Sequence, residues 1–238
     1  MIQLLEKVKS VPGAISMTEA YALFDTITKT LSSSTPESHA LDLGSHAGKS
    51  SCVAAAALAL LGRAEIFHMV DPVYDLNNEQ AWKQTVQGSA SRMPWSYCNN
   101  VVFKDEVLDL VHSVSGNVPL LHGLSSVDYF RTYQNEKYSY VFIDSDDHQP
   151  ELVLTEVNVL QDRVLPGGLV FFHDFKNQYH GPAMAHDWLV RTGKYEPIDI
   201  DWSTAKSIVN EYRLEVGNNS WHMPGVDNPN FLGAVRRL

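Results

Sequence analysis

The chain has 238 residues, 44% hydrophobic and 19% charged, with a formal net charge of −10. This composition excludes a disordered chain and supplies enough apolar material for one large α/β domain. Lysine and arginine are scattered rather than gathered on a basic face, which argues for a small-molecule partner and no nucleic acid. No apolar run approaches the roughly 20 residues of a membrane helix, so no membrane partner is expected. The longest run, Cys52–Leu61, is Ala-rich and suits a buried helix. The N-terminal MIQLLEKVKS lacks the layout of a secretory signal, and Cys52 and Cys98 have no paired metal-type spacing. The expected setting is a reducing cytoplasm without disulfides.

In chain order, Ser16-Met17-Thr18-Glu19 reads as a capping box opening a helix through about Leu31. Ser32-Ser33-Ser34-Thr35-Pro36 reads as a loop, making residues 1–36 an N-terminal helical cap before a domain over 37–238. His39–Leu43 is a short buried strand and Lys49–Leu61 a helix. Glu65–Val70 is the next strand, ending at Asp71-Pro72. Asn77 to about Gln87 and Val101–Val114 read as helices, Asn117–His122 as a third strand, and Ser126–Thr132 as a short helix. Tyr138–Ile143 is an apolar strand ending in Asp144. Pro150–Val164 is a helix closed by Pro166-Gly167-Gly168, and Leu169–Phe172 a fifth strand ending in His173-Asp174. This alternation predicts a doubly wound α/β fold, a mostly parallel sheet with helices on both faces. Tyr195–Trp202, Ser207–Leu214 and Phe231–Val235 read as strands without helices between them, an antiparallel C-terminal edge.

In such sheets ligands bind beyond the carboxyl ends of the strands. Those ends carry Asp42, Asp71, His122-Gly123, Asp144 and His173-Asp174, an acid at most positions. The loop after the first strand, LDLGSHAGKSS, nearly matches a phosphate-binding loop, G-x-x-x-x-G-K-[ST], but Gly44 and Gly48 are one residue too close. Asp42 before it would repel phosphates and attract an ammonium or sulfonium. Asp71 is placed to hold both hydroxyls of a ribose. Val141-Phe142-Ile143-Asp144 is the one feature that favours a nucleoside-triphosphate site.

Asp42-x-Gly44-x-x-x-Gly48-x-Ser50 resembles the first motif of class I S-adenosylmethionine-dependent methyltransferases. "FHMVDP", "YVFIDSDDH", "LPGGLVFFHDF" and "NFLGAVRRL" resemble later elements of that family in the same order, over about residues 38–238. "FIDSDDH…LPGGLVFFHDF…GPAMA" is most similar to the small-molecule O-methyltransferases that tailor sugars and antibiotics. The resemblance implies a Rossmann-like seven-stranded sheet and S-adenosylmethionine as cofactor. By the same resemblance Asp42 faces the methionine ammonium, directly or through water, the backbone of Gly44, Ser45 and Gly48 runs along the methionine part, and Ser50 caps the helix or touches the methionine carboxylate. Asp71 takes the ribose, Gly123 and Ser125 lie near the adenine, and Asp144 borders both cofactor and acceptor.

Methyl transfer to a hydroxyl needs alignment and deprotonation of the acceptor, and a divalent cation can assist both. Asp144, His173 and Asp174 are candidate ligands for such an ion, Mg, Mn or similar; alternatively they position substrate without metal. His173 stands where related enzymes usually carry an acid, and imidazole favours Mn²⁺, Fe²⁺ or Zn²⁺ over Mg²⁺. His148 is the candidate base, with Asp144 beside it as a catalytic residue; His180 is a second candidate. Asp146 and Asp147 form an acidic rim or cap the helix near Pro150. Tyr133-x-x-x-Lys137 has the spacing of a dehydrogenase pair but precedes a strand and reads as a solvated turn. Trp82, Trp188, Trp202 and Trp221 read as core or lid packing; Trp95 and Tyr97 are the first candidates for lining an acceptor pocket.

The expected function is O-methylation of a small molecule. A P-loop-like nucleotide hydrolase and a non-catalytic S-adenosylmethionine-binding domain are the alternatives. The N-terminal helix is a candidate lid or dimer contact, so a homo-oligomer stays open.

Overall fold

The computed structural model describes residues 2–9, 11, 15–31, 35–46, 48–72, 104–145, 148–175, 180–214 and 232–238. The expected helix over 77–87, Cys98, Trp82, Trp95, Tyr97, Trp221, and Asp146 with Asp147 lie outside these residues.

Within them, the chain runs α1 (Ile2–Lys9), α2 (Met17–Thr30), β1 (His39–Leu43), α3 (Lys49–Leu60), β2 (Ile66–Val70), α4 (Lys104–Ser115), β3 (Leu120–His122) and α5 (Ser126–Thr132). It continues through β4 (Tyr138–Ile143), α6 (Pro150–Leu160), β5 (Val164–Phe172), α7 (Gly181–Arg191), β6 (Tyr195–Pro197), α8 (Trp202–Glu211) and β7 (Gly233–Arg237). The seven strands form one sheet in the order β3-β2-β1-β4-β5-β7-β6. The pairs β1/β2, β2/β3, β1/β4 and β4/β5 are parallel, and β7 runs antiparallel between β5 and β6. The order reverses between β1 and β4, so the crevice beyond their carboxyl ends is the switch point where such sheets take ligands.

Alternation along the strands divides the core. Ala40, Phe67, Met69, Tyr140, Phe142, Leu169 and Phe171 face one cluster, filled by α1, α2, α3 and α8. Leu41, Leu43, Val70, Val141, Ile143, Val170 and Phe172 face the other, filled by α5, α6 and α7. Tyr138 lies on the opposite side from Tyr140 because the register slips between them: Tyr138 pairs with Val164 while Tyr140 pairs with Leu169. A bulge of this kind admits extra residues and re-aims the side chains beyond it. Helix α3 is buried from Lys49 to Leu58, as its alanine-rich sequence requires.

The expected helix after Ser16 forms with the full capping box. The Ser16 hydroxyl accepts from the Glu19 N–H, and the Glu19 carboxylate accepts from the Ser16 N–H. The C-terminal expectation needs correction. Ser207–Leu214 is not a strand, because Trp202–Glu211 is helical. Asp201 caps it by accepting the Thr204 N–H at 3.0 Å, and Ala205 and Val209, four residues apart, bury one stripe. The strand expected from Leu169 starts earlier, at Val164, and runs through the Pro-Gly-Gly segment.

Candidate active site

Hydrogen bonds of the sheet continue past the strand ends and bring the expected acids into one row. Asp144 N donates to Leu43 O at 2.9 Å, His173 N to Ile143 O at 3.0 Å, Gly44 N to Val70 O at 2.9 Å and Asp71 N to His122 O at 3.1 Å. The turn after β1 crosses the end of β4 so closely that a Cβ on Gly44 would lie 2.0 Å from the Asp144 carbonyl oxygen. Gly44 also has φ +78, so glycine is required there on both grounds. Gly48, at φ +87, is the N-cap of α3 and gives it no side-chain cap. The N–H groups of that first turn therefore point from a residue without a side chain, an arrangement suited to an anion.

Asp42 is fully buried. Its Oδ2 accepts the hydroxyls of Ser50 at 2.7 Å and Ser51 at 2.5 Å, while Oδ1 makes no hydrogen bond. Ser50 is thus spent on Asp42 and does not cap α3. Burial pushes the Asp42 carboxyl up to about 7, against the two serine hydroxyls, with the Asp144 and Asp71 charges adding to the rise. Ser45 is buried in the same turn. Asp71 Oδ2 accepts the His46 N–H at 2.9 Å, which ties the turn to the end of β2. Ser125 is the N-cap of α5, accepting the Asp128 N–H at 3.2 Å, and Gly123 lies between it and β3.

Three side chains converge. Single donor atoms of Asp144, His148 and Asp174 lie within 4.8 Å of one another. His148 Nε2 is 2.9 Å from Asp174 Oδ2 and 3.6 Å from Asp144 Oδ1. Both His148 (φ +45) and Asp174 (φ +53) have left-handed backbones, and the tight turns this makes aim them inward. His173 does not join the converging set. Its Nδ1 is 3.0 Å from Asp144 Oδ1, and its Nε2 is 3.5 Å from Glu19 Oε1 on α2. Burial opposes the His148 charge, but the Asp174 and Asp144 carboxylates outweigh it and raise the imidazole above its ordinary value. In His173 burial likewise opposes the charge, and Asp144 and Glu19 drive the value well up. One nitrogen of His148 thus serves as a cation ligand or stays on Asp174 while the ring accepts a proton, but not both at once.

Several participants have no signal in a local motif. Glu156 on α6 accepts the Ser145 hydroxyl at 2.5 Å and anchors the residue after Asp144. Ser51, His46 and Glu19 act through partners distant in sequence; only the capping box marks Glu19. His180 is exposed at the N-cap of α7 and lies outside the converging set. Tyr133 is half-buried, stacked on Tyr129 at 4.8 Å, and the Lys137 ammonium donates to Asp162 O, so the two form no dehydrogenase pair. Trp188 and Trp202 pack against the two core clusters as expected. No helix among the described residues is long and apolar enough to cross a membrane.

The architecture recurs in solved structures. The O-methyltransferase NovP matches with a TM-score of 0.57 at 14% identity, over 92% of this chain and 79% of that one. CalS11, a TDP-rhamnose 3'-O-methyltransferase of calicheamicin biosynthesis, matches at 0.52 and 13%, again over 92% and 79%. An O-methyltransferase of Bacillus cereus in complex with SAH matches at 0.53 and 12%, over 82% of each chain. At these identities the likeness is one of fold. No curated protein matches the sequence. The family described as "Methyltransferase domain" matches residues 41–175, which run from β1 through the Gly44–Gly48 turn and the converging acids to the turn after β5. With more than half of its length inside that match, the chain belongs to the methyltransferase-domain family.

Proposed function

We propose that this protein is an S-adenosylmethionine-dependent methyltransferase that moves a methyl group to a hydroxyl of a small molecule of sugar or natural-product type. The observation that carries the reading is the convergence of Asp144, His148 and Asp174 at the ends of β4 and β5, against the Gly44–Gly48 turn. Residues 1–36 act in this reading as a helical cap on a methyltransferase domain of residues 37–238.

The turn fits the cofactor. Gly44 keeps the approach free of side chains, and the uncapped start of α3 suits a methionine carboxylate. Asp42 carries a buried oxygen without a hydrogen bond beneath the turn, and an ammonium or a sulfonium above it would favour the ionised form of this raised carboxyl. Its burial means that this influence passes through the Ser50 and Ser51 hydroxyls rather than by direct contact. Asp71 holds the turn through the His46 N–H and lies where ribose hydroxyls are bound in such sheets. A triphosphate is disfavoured by the same acids and by Lys49, whose side chain is buried.

The donor set also fits a divalent cation. Two carboxylates and one imidazole, Asp144, Asp174 and His148, would hold it, a mixture suited to Mn²⁺ or Fe²⁺ as well as Mg²⁺. When bound, such an ion lowers the pKa of a coordinated hydroxyl and orients it. The chain's own contribution is to fix the carboxylates at the ends of two strands whose last residues, Phe142, Ile143, Phe171 and Phe172, are buried on both faces, and to present His148 held by Asp174. Without the ion, His148 is the group able to accept the acceptor's proton. CalS11 acts on TDP-rhamnose, which makes nucleotide-linked deoxysugars the first acceptors to try.

The test is transfer of a labelled methyl group from S-adenosylmethionine to a panel of hydroxylated sugars and natural products, before and after chelation and Mn²⁺ readdition. Labelled ether product in wild type, with loss in His148→Gln, is the expected result. Transfer to none of the panel, with cofactor binding intact, favours the non-catalytic alternative.

A further inference from the structure

We infer that Glu19, supplied by helix α2 from outside the matched methyltransferase segment, is a positioning residue of the methyl-transfer site: it holds the His173 ring, and His173 fixes Asp144. The inference rests on the proposed function for what Asp144 does, and on geometry alone for the chain of contacts.

Two buried side-chain atoms near the acids make no hydrogen bond, Glu19 Oε1 and His173 Nε2. They face each other at 3.5 Å, on side chains 3% and 8% exposed. A carboxylate oxygen without water is costly unless a complement lies beside it, and here each atom is the other's complement. Capping does not explain the burial. The cap uses Glu19 Oε2, which accepts the Ser16 N–H at 2.8 Å and leaves Oε1 over. Helix α5 has a related cap, Ser125 with Asp128, and that carboxylate lies in solvent. Placing the equivalent carboxylate of α2 against His173 is therefore a feature of tertiary structure.

The His173 ring is gripped at both nitrogens by elements remote in sequence. Nδ1 is 3.0 Å from Asp144 Oδ1 and 3.8 Å from Asp174 Oδ1, and Nε2 faces α2. The backbone of Asp144 is already fixed by Leu43 O, so the plane of its carboxylate is the freedom that remains. The ring sets that plane, and the same Oδ1 lies 3.6 Å from His148 Nε2. Without Glu19 the ring is held from one side only. Partners of this kind behind a ligating or reacting carboxylate commonly matter as much as the carboxylate itself.

The experiment compares Glu19→Ala, Glu19→Gln and Ser16→Ala in the full chain. Long-range ¹H–¹⁵N spectra of the imidazoles, with His173 identified by its loss in His173→Gln, report ring order. Mn²⁺ titration reports the acids, and S-adenosylhomocysteine titration reports the cofactor turn. Glu19→Ala is expected to shift and broaden the His173 Nε2 signal, which loses its partner, and to weaken Mn²⁺ about tenfold. Ser16→Ala loses the same cap yet keeps the wild-type ring signals. Glu19→Gln restores an ordered ring with shifted nitrogens, because an amide donor replaces an acceptor. If Glu19→Ala lowers Tm only as much as Ser16→Ala and leaves the His173 signals unchanged, Glu19 is a helix cap and the inference is overturned. Should Glu19→Ala not fold, unshifted nitrogens in Glu19→Gln overturn it equally. Absence of S-adenosylhomocysteine or Mn²⁺ binding in wild type counts against the proposed function, while the ring spectra still decide on Glu19.

Discussion

At the carboxyl rim, His148 and His173 lie among carboxylates. On the face covered by α5 to α7, His68 lies between two other imidazoles. His68 Nε2 is 2.8 Å from His39 Nδ1 and its Nδ1 is 2.9 Å from His122 Nε2, so the three rings form a hydrogen-bonded chain across β1, β2 and β3. Tyr129 and Tyr133 pack edge-on against His68. Burial disfavours the charged ring in both places. At the rim the carboxylates reverse that effect, and both imidazoles rise. In the chain the neighbours are His122 and His39, which add to burial, and His68 is pushed down to about 3. The partner, rather than depth, decides the direction in which each histidine shifts, and that separates a site able to handle charge from a structural ladder.

Removing the rim's geometry while sparing the ladder is the harshest test of this contrast. Gly44→Ala forces a Cβ to 2.0 Å from the Asp144 carbonyl at a backbone angle of φ +78. We expect a loss on the order of 3 kcal/mol in stability and no detectable S-adenosylhomocysteine binding. The His68 resonances should stay at their neutral positions in whatever fraction folds. Urea melts and imidazole spectra read both outcomes.

The ladder itself should appear as acid sensitivity. The unfolded His68 titrates near ~6.5 and the folded one at about 3. Its folded value is depressed, so its penalty is absent above pH ~6.5 and grows as pH falls below that value. The cost is about 2–3 kcal/mol between pH ~6.5 and ~4.5. His68→Phe should flatten this limb of the stability profile; an unchanged slope would show that the rings are not the cause.

His173 has the opposite sign. Its folded value is raised, so its stabilising contribution is fully present below pH ~6.5 and disappears as pH rises through the elevated native value. Thermal melts of wild type and His173→Gln should therefore differ most at mildly acidic pH and converge under alkaline conditions. The smallest effect expected is that of Ser51→Ala, which removes one of the two hydroxyls on Asp42. It should cost about 1–2 kcal/mol and raise the Asp42 carboxyl further, measurable by carboxyl ¹³C titration.

These contrasts also divide what the sequence could disclose from what it could not. Strand-end acids were legible because a parallel strand is a short apolar run and the residue that ends it is visible in the chain. The Ser16 box and the glycines at 44 and 48 were legible because local backbone chemistry dictates them. Ser207–Leu214 misled because a buried helical stripe with two adjacent apolar residues, Ile208 and Val209, imitates a short strand; the Asp201 cap was the better signal. His148 and His173 could not be told apart in role, since the left-handed turns at His148 and Asp174 aim the side chains. The ladder was invisible because it needs the register, with His68 opposite Leu41 and Leu120, His39 two residues earlier on β1 and His122 two residues later on β3. Glu19 meets His173 only once α2 has docked on the sheet.

Calorimetric titration of the metal-stripped chain with S-adenosylhomocysteine, beside Mg-ATP, in wild type and Asp71→Ala, decides whether the Gly44–Gly48 turn with Asp71 is a cofactor site. Micromolar S-adenosylhomocysteine binding that weakens by at least about tenfold in the variant, with no heat from Mg-ATP, is the expected result. Mg-ATP binding in its place, lost on Lys49→Ala, would make the turn a nucleotide site and rule out the methyltransferase reading.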